Sequence, residues 1–142
     1  MTMAKNISRM TINTTQQKVW EALTSPELVK QWQYGSDLQT NWEVGSIIKF
    51  VTEWEGKTFE QWGTVLEFTP ATRLRYSLFA PRPDLEDKPE NHFEMIYTLT
   101  GQNAMTNLEI VQEDNRPNAV QEDIQGEENP ILKMLKETAE NN

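Results

Sequence analysis

Cysteine is absent from the chain, and histidine occurs once, as His92. Without a thiol the protein has no disulfide, no thiolate metal ligand and no cysteine nucleophile. A single histidine also rules out a metal site built on two histidines. We therefore predict neither a metal nor a cofactor. The lack of cysteine is compatible with a reducing compartment, and we expect a cytoplasmic protein.

Long apolar runs and an excess of basic residues are missing as well. No stretch approaches the ~18 apolar residues of a membrane span, and the first nine residues contain no apolar segment typical of a secretory signal. The 13 basic residues are outnumbered by 22 acidic ones, which gives a net charge of −9. Because such a surface repels phosphate groups, we predict no nucleic-acid partner and no membrane partner.

What the chain does have is tryptophan, concentrated in its first half. All five tryptophans lie between positions 20 and 62. The length suits one domain, residues 1–142, with a single hydrophobic core. The tryptophan density predicts an aromatic-lined concavity near the N-terminal half.

The first third of the chain has the pattern of a strand followed by two short helices. Apolar and polar residues alternate over 7–13, which predicts a strand. Thr14 or Thr15 can cap the next helix, and Ser25-Pro26 can cap and open a second one. The first helix has an apolar stripe that we expect to be buried: Val19, Trp20, Ala22 and Leu23.

The remainder changes to a strand period and ends in a helix. Apolar alternation and turn residues predict strands at 47–54, 57–68, 74–78, 93–99 and 108–110. Residues 80–90 predict an exposed loop, and 119–125 predict a turn or a loose helix. Asn129-Pro130 is a typical helix start.

These elements predict an α+β fold of the helix-grip type. A strand and two short helices precede a curved antiparallel sheet that totals about six or seven strands. Only the C-terminal helix is long and apolar enough to pack across the dry face of that sheet. A curved sheet that grips a helix leaves space between them, and the two short helices can close one end of it.

An ordered set of segments resembles a known family. The segments are Val19–Leu28, Gln31-Trp32, Trp42–Phe50, Gly63–Glu67, Pro70, Arg73–Tyr76, Thr106–Ile110 and Ile131–Lys136. Together they resemble the activator of Hsp90 ATPase homologue 1-like (AHSA1-like) family of the Bet v 1/START-like (SRPBCC) superfamily. The resemblance implies the helix-grip fold over nearly the whole chain and a cavity that holds a small ligand.

The chain departs from the family pattern at two places. The Gly-Trp pair that usually opens the last helix is replaced by Glu127-Glu128, which predicts a more open or more polar cavity at that end. Gln33 replaces the second tryptophan of a Trp-Trp pair.

The aromatic set and the last helix supply the candidate ligand-binding residues. Pockets for small molecules are mostly apolar with a few polar groups, although aromatic side chains also fill ordinary cores, and that alternative stays open for each residue. The candidates are Trp32, Trp42, Phe50, Trp54, Trp62, Tyr76, Tyr97, Met134 and Leu135.

No catalytic residue is predicted. His92 and Glu94 share one face of a predicted strand, and the alternate residues Phe93, Met95 and Tyr97 are apolar. If the apolar face points inwards, His92 and Glu94 point to solvent.

The aromatic density and the family resemblance together imply three candidate functions, and the second and third rest on the resemblance alone. The first is non-enzymatic binding of a small hydrophobic or amphipathic molecule, in a stress-related role. The second is an Hsp90 co-chaperone-like protein-interaction module, with a chaperone as partner. The third is a small hydrolase- or cyclase-type enzyme that uses the same cavity. The sequence leaves the ligand, the pathway and the oligomeric state open.

Overall fold

The computed structural model describes residues 4–33, 35–102, 104–116 and 119–142. Its elements in chain order are β1 (Ala4–Ile12), α1 (Gln16–Thr24), α2 (Pro26–Trp32), β2 (Asp37–Gln39), β3 (Ile47–Trp54), β4 (Lys57–Thr69), β5 (Arg73–Leu78), a 3₁₀ turn (Pro89–Asn91), β6 (Phe93–Gln102), β7 (Met105–Asp114) and α3 (Pro130–Glu140). The strands form one antiparallel sheet in the order β1-β7-β6-β5-β4-β3-β2. The predicted helix-grip architecture is confirmed.

One face of the sheet is dry, as the alternation predicted. Leu74, Tyr76 and Leu78 of β5 are at most 5% exposed, and Tyr97 and Leu99 of β6 are buried beside them. This inner face lies under α3, whose buried residues are Leu132, Leu135, Thr138 and Ala139. The nearest backbone neighbours of α3 are α1, α2 and β1. The helix therefore rests on one side of the fold and leaves space above the far strands.

Two tryptophans bind the end of α1. Trp32 Nε1 donates to the carbonyl of Ala22 at 2.7 Å, and Trp42 Nε1 donates to the carbonyl of Thr24 at 3.0 Å. The last carbonyls of a helix have no partner within the helix, so these indoles satisfy groups that would otherwise be unpaired. Trp32 and Trp42 therefore have a structural role at the corner between α1 and α2.

The caps of the two short helices differ from each other. Thr15 accepts a hydrogen bond from Lys18 N at 3.3 Å and caps α1 as predicted. Ser25 stands at the N-cap of α2, but its hydroxyl donates to the Glu27 carboxylate at 2.8 Å instead of accepting from the helix. Pro26 occupies the first turn of α2, so proline sets the start of this helix.

The segment 119–125 is neither a turn nor a loose helix, and that prediction was wrong. The segment runs beside the edge strand β1, where Arg9 N donates to Gln125 O at 2.9 Å and Gln125 N donates to Ile7 O at 3.0 Å. Gln121 hydrogen-bonds the backbone of Lys5 through both ends of its amide. An edge strand leaves backbone N–H and C=O groups unpaired. The segment 119–125 has no apolar helical period, so it forms hydrogen bonds with these groups.

Among the helices in the described ranges, none has the length and apolar character needed to cross a bilayer.

Candidate functional site

A cavity of about 390 Å³ lies between the inner face of β3–β6 and the helices α2 and α3. We call it the sheet–helix cavity. Its lining residues are Trp32, Gln33, Ser36, Phe50, Thr52, Phe59, Gln61, Tyr76, Leu78, Phe93, Met95, Tyr97 and Ile131. Most of this lining is apolar, and the polar side chains come mainly from the segment directly after α2 and from β3–β4.

Four of the candidate residues line the sheet–helix cavity. Trp32, Phe50, Tyr76 and Tyr97 come from four separate elements, α2, β3, β5 and β6, and each is at most 7% exposed. The strand register brings the two tyrosines together, because Tyr76 of β5 lies opposite Met95 of β6 and Tyr97 is the next residue of β6 on the same face. Their role in binding a ligand remains a prediction.

The other candidates lie outside this lining. Trp42 stacks on Phe68 with ring centroids 5.5 Å apart, and Trp62 packs on Phe79 at 5.4 Å. Trp54 is 64% exposed at the end of β3. On α3, Leu135 is fully buried in the core and Met134 is 41% exposed. The residue of α3 that reaches the cavity is Ile131.

Several lining residues were not predicted. The polar ones directly after α2 and on the neighbouring strands include Gln33, Ser36, Thr52 and Gln61. The hydroxyls of Ser36 and Thr52 lie 2.7 Å apart. A signal existed for Gln33, since it stands where the family pattern has tryptophan. Strand pairing would have been needed for Gln61, which lies opposite Phe50.

Tyr76 and Tyr97 form a buried phenol pair. Their hydroxyl oxygens lie 2.9 Å apart, and their ring centroids lie 5.8 Å apart. Burial raises the pKa of Tyr97 to about 12 and raises that of Tyr76 well above its ordinary value, because a phenolate in this place would lose its hydration. Both phenols therefore stay neutral hydrogen-bonding groups over the physiological pH range.

Comparison with known sequences decides the family. The model of the family described as "Activator of Hsp90 ATPase homolog 1-like protein" matches residues 13–140. The chain belongs to this family. Among curated proteins, no sequence matches it.

Solved structures agree with this assignment. ChR145 from Cytophaga hutchinsonii is 31% identical, with a TM-score of 0.67, and the match covers 99% of this chain and 86% of that one. Ara h 8.0201 is 14% identical, with a TM-score of 0.72 and coverage of 99% and 100%. PFC0360w, an HSP90 activator from Plasmodium falciparum, is 13% identical, with a TM-score of 0.64 and coverage of 82% and 76%. The last two show a shared fold alone.

The two departures from the pattern of this Hsp90-activator-like family have different consequences. Glu127 pairs with Lys136 at 2.7 Å and raises the pKa of that lysine, while Glu128 accepts a hydrogen bond from Gly126 N at 2.8 Å. Neither glutamate lines the sheet–helix cavity, so the polarity predicted from this pair does not arise there. The polarity comes instead from the α2 side, where Gln33 does line it.

His92 and Glu94 of this family member face away from the sheet–helix cavity, as predicted. His92 Nε2 lies 2.6 Å from a carboxylate oxygen of Asp87, in the loop before β6. Glu94 pairs with Arg75 of the neighbouring strand at 2.6 Å. The two side chains thus have separate partners and form no dyad. Within the described residues, no group of three or more histidine and carboxylate side chains could hold a metal ion.

The contacts of Asp87 predict an acid-dependent loss of stability. Trp62 Nε1 donates to its carboxylate at 2.8 Å, and this bond, followed by the one to His92, holds the pKa of Asp87 below its ordinary value. A carboxyl whose pKa is lower in the folded state stabilises the protein above its unfolded pKa of about 3.9 and loses that contribution as the pH falls through the folded value. We expect the stability difference between wild type and Asp87→Asn to shrink from pH 6 to pH 3.

Urea denaturation across this pH range measures the difference. Asp84→Asn removes a carboxylate from the same loop and serves as the control, because the Asp84 side chain is 70% exposed and its nearest basic partner, Arg82, lies 3.5 Å away. A stability difference for Asp87→Asn that stays constant down to pH 3 would contradict the proposed contacts.

Proposed function

We propose that this protein binds a small hydrophobic or amphipathic molecule in the sheet–helix cavity and does so without catalysis. The observation that carries the proposal is the cavity itself, whose volume of about 390 Å³ falls within the roughly 300–1,000 Å³ of known small-molecule sites. Its lining combines a continuous apolar wall with a few polar groups on one side, which is the usual composition of such sites. We propose that the binding unit is one domain, residues 1–142, and that it acts in the cytoplasm.

The chemistry of the lining favours binding over catalysis. Among the described residues, the only ionisable side chains that line the cavity are Tyr76 and Tyr97. Both have a raised pKa and carry their protons at neutral pH. A general base must be deprotonated at the working pH, so neither phenol suits that role.

Filling the cavity tests the proposal. We expect the neutral fluorophore N-phenyl-1-naphthylamine to bind the wild type with saturable enhancement of its emission. Met95→Trp adds bulk inside the cavity at a half-buried position, and we expect it to weaken binding at least about tenfold, equivalent to ~1.4 kcal/mol. Ile47→Trp adds the same side chain at a position that is 71% exposed and is the matched control.

Three results would count against the cavity as the binding site. One is the absence of saturable enhancement with the wild type. The second is equal affinity of the wild type and of a folded Met95→Trp variant, with folding checked by thermal denaturation. The third is an equal loss of binding in Ile47→Trp and Met95→Trp, which would show that the fluorescence signal does not come from the cavity.

A second candidate is an interaction module for a chaperone. The family description and the name of the Plasmodium structure support it, and the exposed side chains Trp54 and Phe59, 64% and 52% exposed, offer an apolar contact surface. Measurement of Hsp90 ATP hydrolysis with and without the protein separates the candidates. Stimulation that is retained in Met95→Trp but lost in Trp54→Ala would favour the interaction module.

A further inference from the structure

The phenol pair in the sheet–helix cavity has one hydrogen-bond donor more than the pair can use. Each phenol carries one O–H, and each oxygen can also accept a hydrogen bond. The contact at 2.9 Å between Tyr76 and Tyr97 consumes one of the two protons. In the part of the chain that the structure describes, no other hydrogen bond reaches either hydroxyl. Among the described residues the second proton has no acceptor, so a group that enters the cavity can accept it.

Burial confines that acceptor to the cavity. Tyr76 and Tyr97 are each 4% exposed, and both line the cavity wall. A buried hydroxyl without an acceptor is unfavourable, so the spare proton bonds to whatever occupies the cavity. The second hydroxyl pair in the lining differs because Thr52 is only half-buried, although Ser36 beside it is 7% exposed.

The surrounding charges favour an uncharged acceptor. Among the described residues of the lining there is no lysine, arginine or histidine that could neutralise an anion. A carboxylate beside the phenols would lose its hydration without gaining a counter-charge, and the net charge of −9 adds long-range repulsion. A carbonyl oxygen loses much less on desolvation and accepts the phenol proton directly.

The volume limits the size of the ligand. At the packing density of an organic liquid, ~0.55, a cavity of about 390 Å³ holds roughly 200 Å³ of ligand van der Waals volume. This corresponds to a molecule of about two or three rings. The apolar wall formed by Trp32, Phe50 and Phe93 matches the body of such a molecule.

We propose that the Tyr76–Tyr97 pair donates a hydrogen bond to an uncharged carbonyl oxygen of the ligand, which makes the preferred ligands small neutral ring compounds that carry a ketone-type carbonyl. This inference rests on the proposed function, since it specifies what the sheet–helix cavity binds. It adds a selection rule, because a hydrocarbon of the same shape leaves the spare phenol proton unpaired.

Two probes of equal shape test the rule. 2-Acetylnaphthalene and 2-isopropenylnaphthalene differ only in the replacement of the carbonyl oxygen by a methylene group, and each is titrated as a competitor of N-phenyl-1-naphthylamine. The quantity of interest is the ratio of their two affinities, measured in the wild type and in Tyr76→Phe/Tyr97→Phe. Comparing the ratios cancels the different hydration of the two probes. We expect the preference for the ketone to be about five- to tenfold larger in the wild type than in the double variant.

The double variant is expected to fold. Replacing both partners of a hydrogen bond by apolar groups of the same shape is close to neutral for stability, and thermal denaturation checks this. A direct readout accompanies the titration: the carbonyl stretch of bound, ¹³C-labelled 2-acetylnaphthalene should lie at lower frequency in the wild type than in the double variant, because hydrogen bonding weakens the C=O bond.

The outcomes separate this inference from the proposed function. If the fluorophore and both probes bind but the ratio is unchanged in the double variant, the phenol rule is wrong while the cavity remains a binding site. If Ser36→Ala/Thr52→Val abolishes the ketone preference and Tyr76→Phe/Tyr97→Phe does not, then Ser36 and Thr52 recognise the carbonyl. The phenol rule is likewise overturned. If neither the fluorophore nor the probes bind the wild type, the proposed function itself fails.

Discussion

Gly63→Ala should reduce the free energy of unfolding by at least about 3 kcal/mol. A Cβ at position 63 would overlap the backbone carbonyl oxygen of Ser77 and lie 3.0 Å from the Cα of Leu78. Overpacking commonly costs about 1–3 kcal/mol when side chains can shift, and more when they cannot. Here the obstructing atoms belong to the backbone of β5, so the two strands must separate.

The surrounding hydrogen bonds make that separation costly. Next to Gly63, Trp62 and Phe79 exchange two backbone hydrogen bonds, at 2.6 and 3.2 Å. Moving β4 away from β5 breaks this bridge and disturbs Tyr76 and Leu78 in the cavity wall. The variant should therefore lose probe binding together with stability.

Gly101→Ala is the matched control for this prediction. The added Cβ would meet the end of the Gln16 side chain, which can rotate away at the loss of its hydrogen bond to Ala71 O, 2.9 Å long. We expect a destabilisation within about 1 kcal/mol, the usual net value of one hydrogen bond. Urea denaturation of both variants gives the comparison, and equal losses would show that the approach of β4 to β5 is not what requires glycine.

The sequence predicted the strands where local pattern and turn chemistry coincide. Strand β3 has the predicted limits, 47–54, because Gly45 and Gly56 bracket an apolar run, and the turn places Glu55 and Gly56 at positive φ, 50° and 77°. Strand β2 was missed. It has three residues, and only Leu38 is buried, so its existence depends on pairing with β3, where Leu38 lies opposite Phe50.

The tryptophan candidates show why a site is harder to predict than a fold. Trp62 was a candidate ligand-binding residue because it is an aromatic residue of the strand predicted at 57–68. A register irregularity between Val65 and Glu67 shifts the alternation, and the inward side before it carries Phe59 and Gln61. A bulge places two residues opposite one, so the parity that assigns faces changes along the strand. The irregularity lies beyond Trp62, and ordinary alternation puts Trp62 on the face opposite to Phe59 and Gln61, where it packs against Phe79 outside the cavity lining.

The position of the last helix over the cavity was equally hard to predict from the sequence. Its apolar character predicted a helix that packs on the sheet, but how the helix is rotated over the sheet depends on its contacts with α1, α2 and β1. Those contacts bury Leu135 in the core, leave Met134 41% exposed and bring Ile131 to the cavity. Helical spacing defines the buried stripe, whereas its position relative to the cavity is set by tertiary packing.

Leu135→Ala should destabilise the protein by about 2–5 kcal/mol. Deleting a buried leucine side chain loses its transfer free energy and leaves a void that close-packed surroundings fill only in part. Leu135 is 0% exposed at the middle of α3, between the buried residues Leu132 and Ala139. Because α3 places Ile131 in the lining of the sheet–helix cavity, we also expect weaker binding of N-phenyl-1-naphthylamine in this variant.

Met134→Ala is the control that isolates burial from helix propensity. Both substitutions place alanine on the same turn of α3, but Met134 is 41% exposed, and we expect its loss to change the free energy of unfolding by less than about 1 kcal/mol. Chemical denaturation of the two variants gives the difference directly. Equal losses of stability in Leu135→Ala and Met134→Ala would show that Leu135 does not anchor α3. The helix would then not be held in a fixed position beside the cavity.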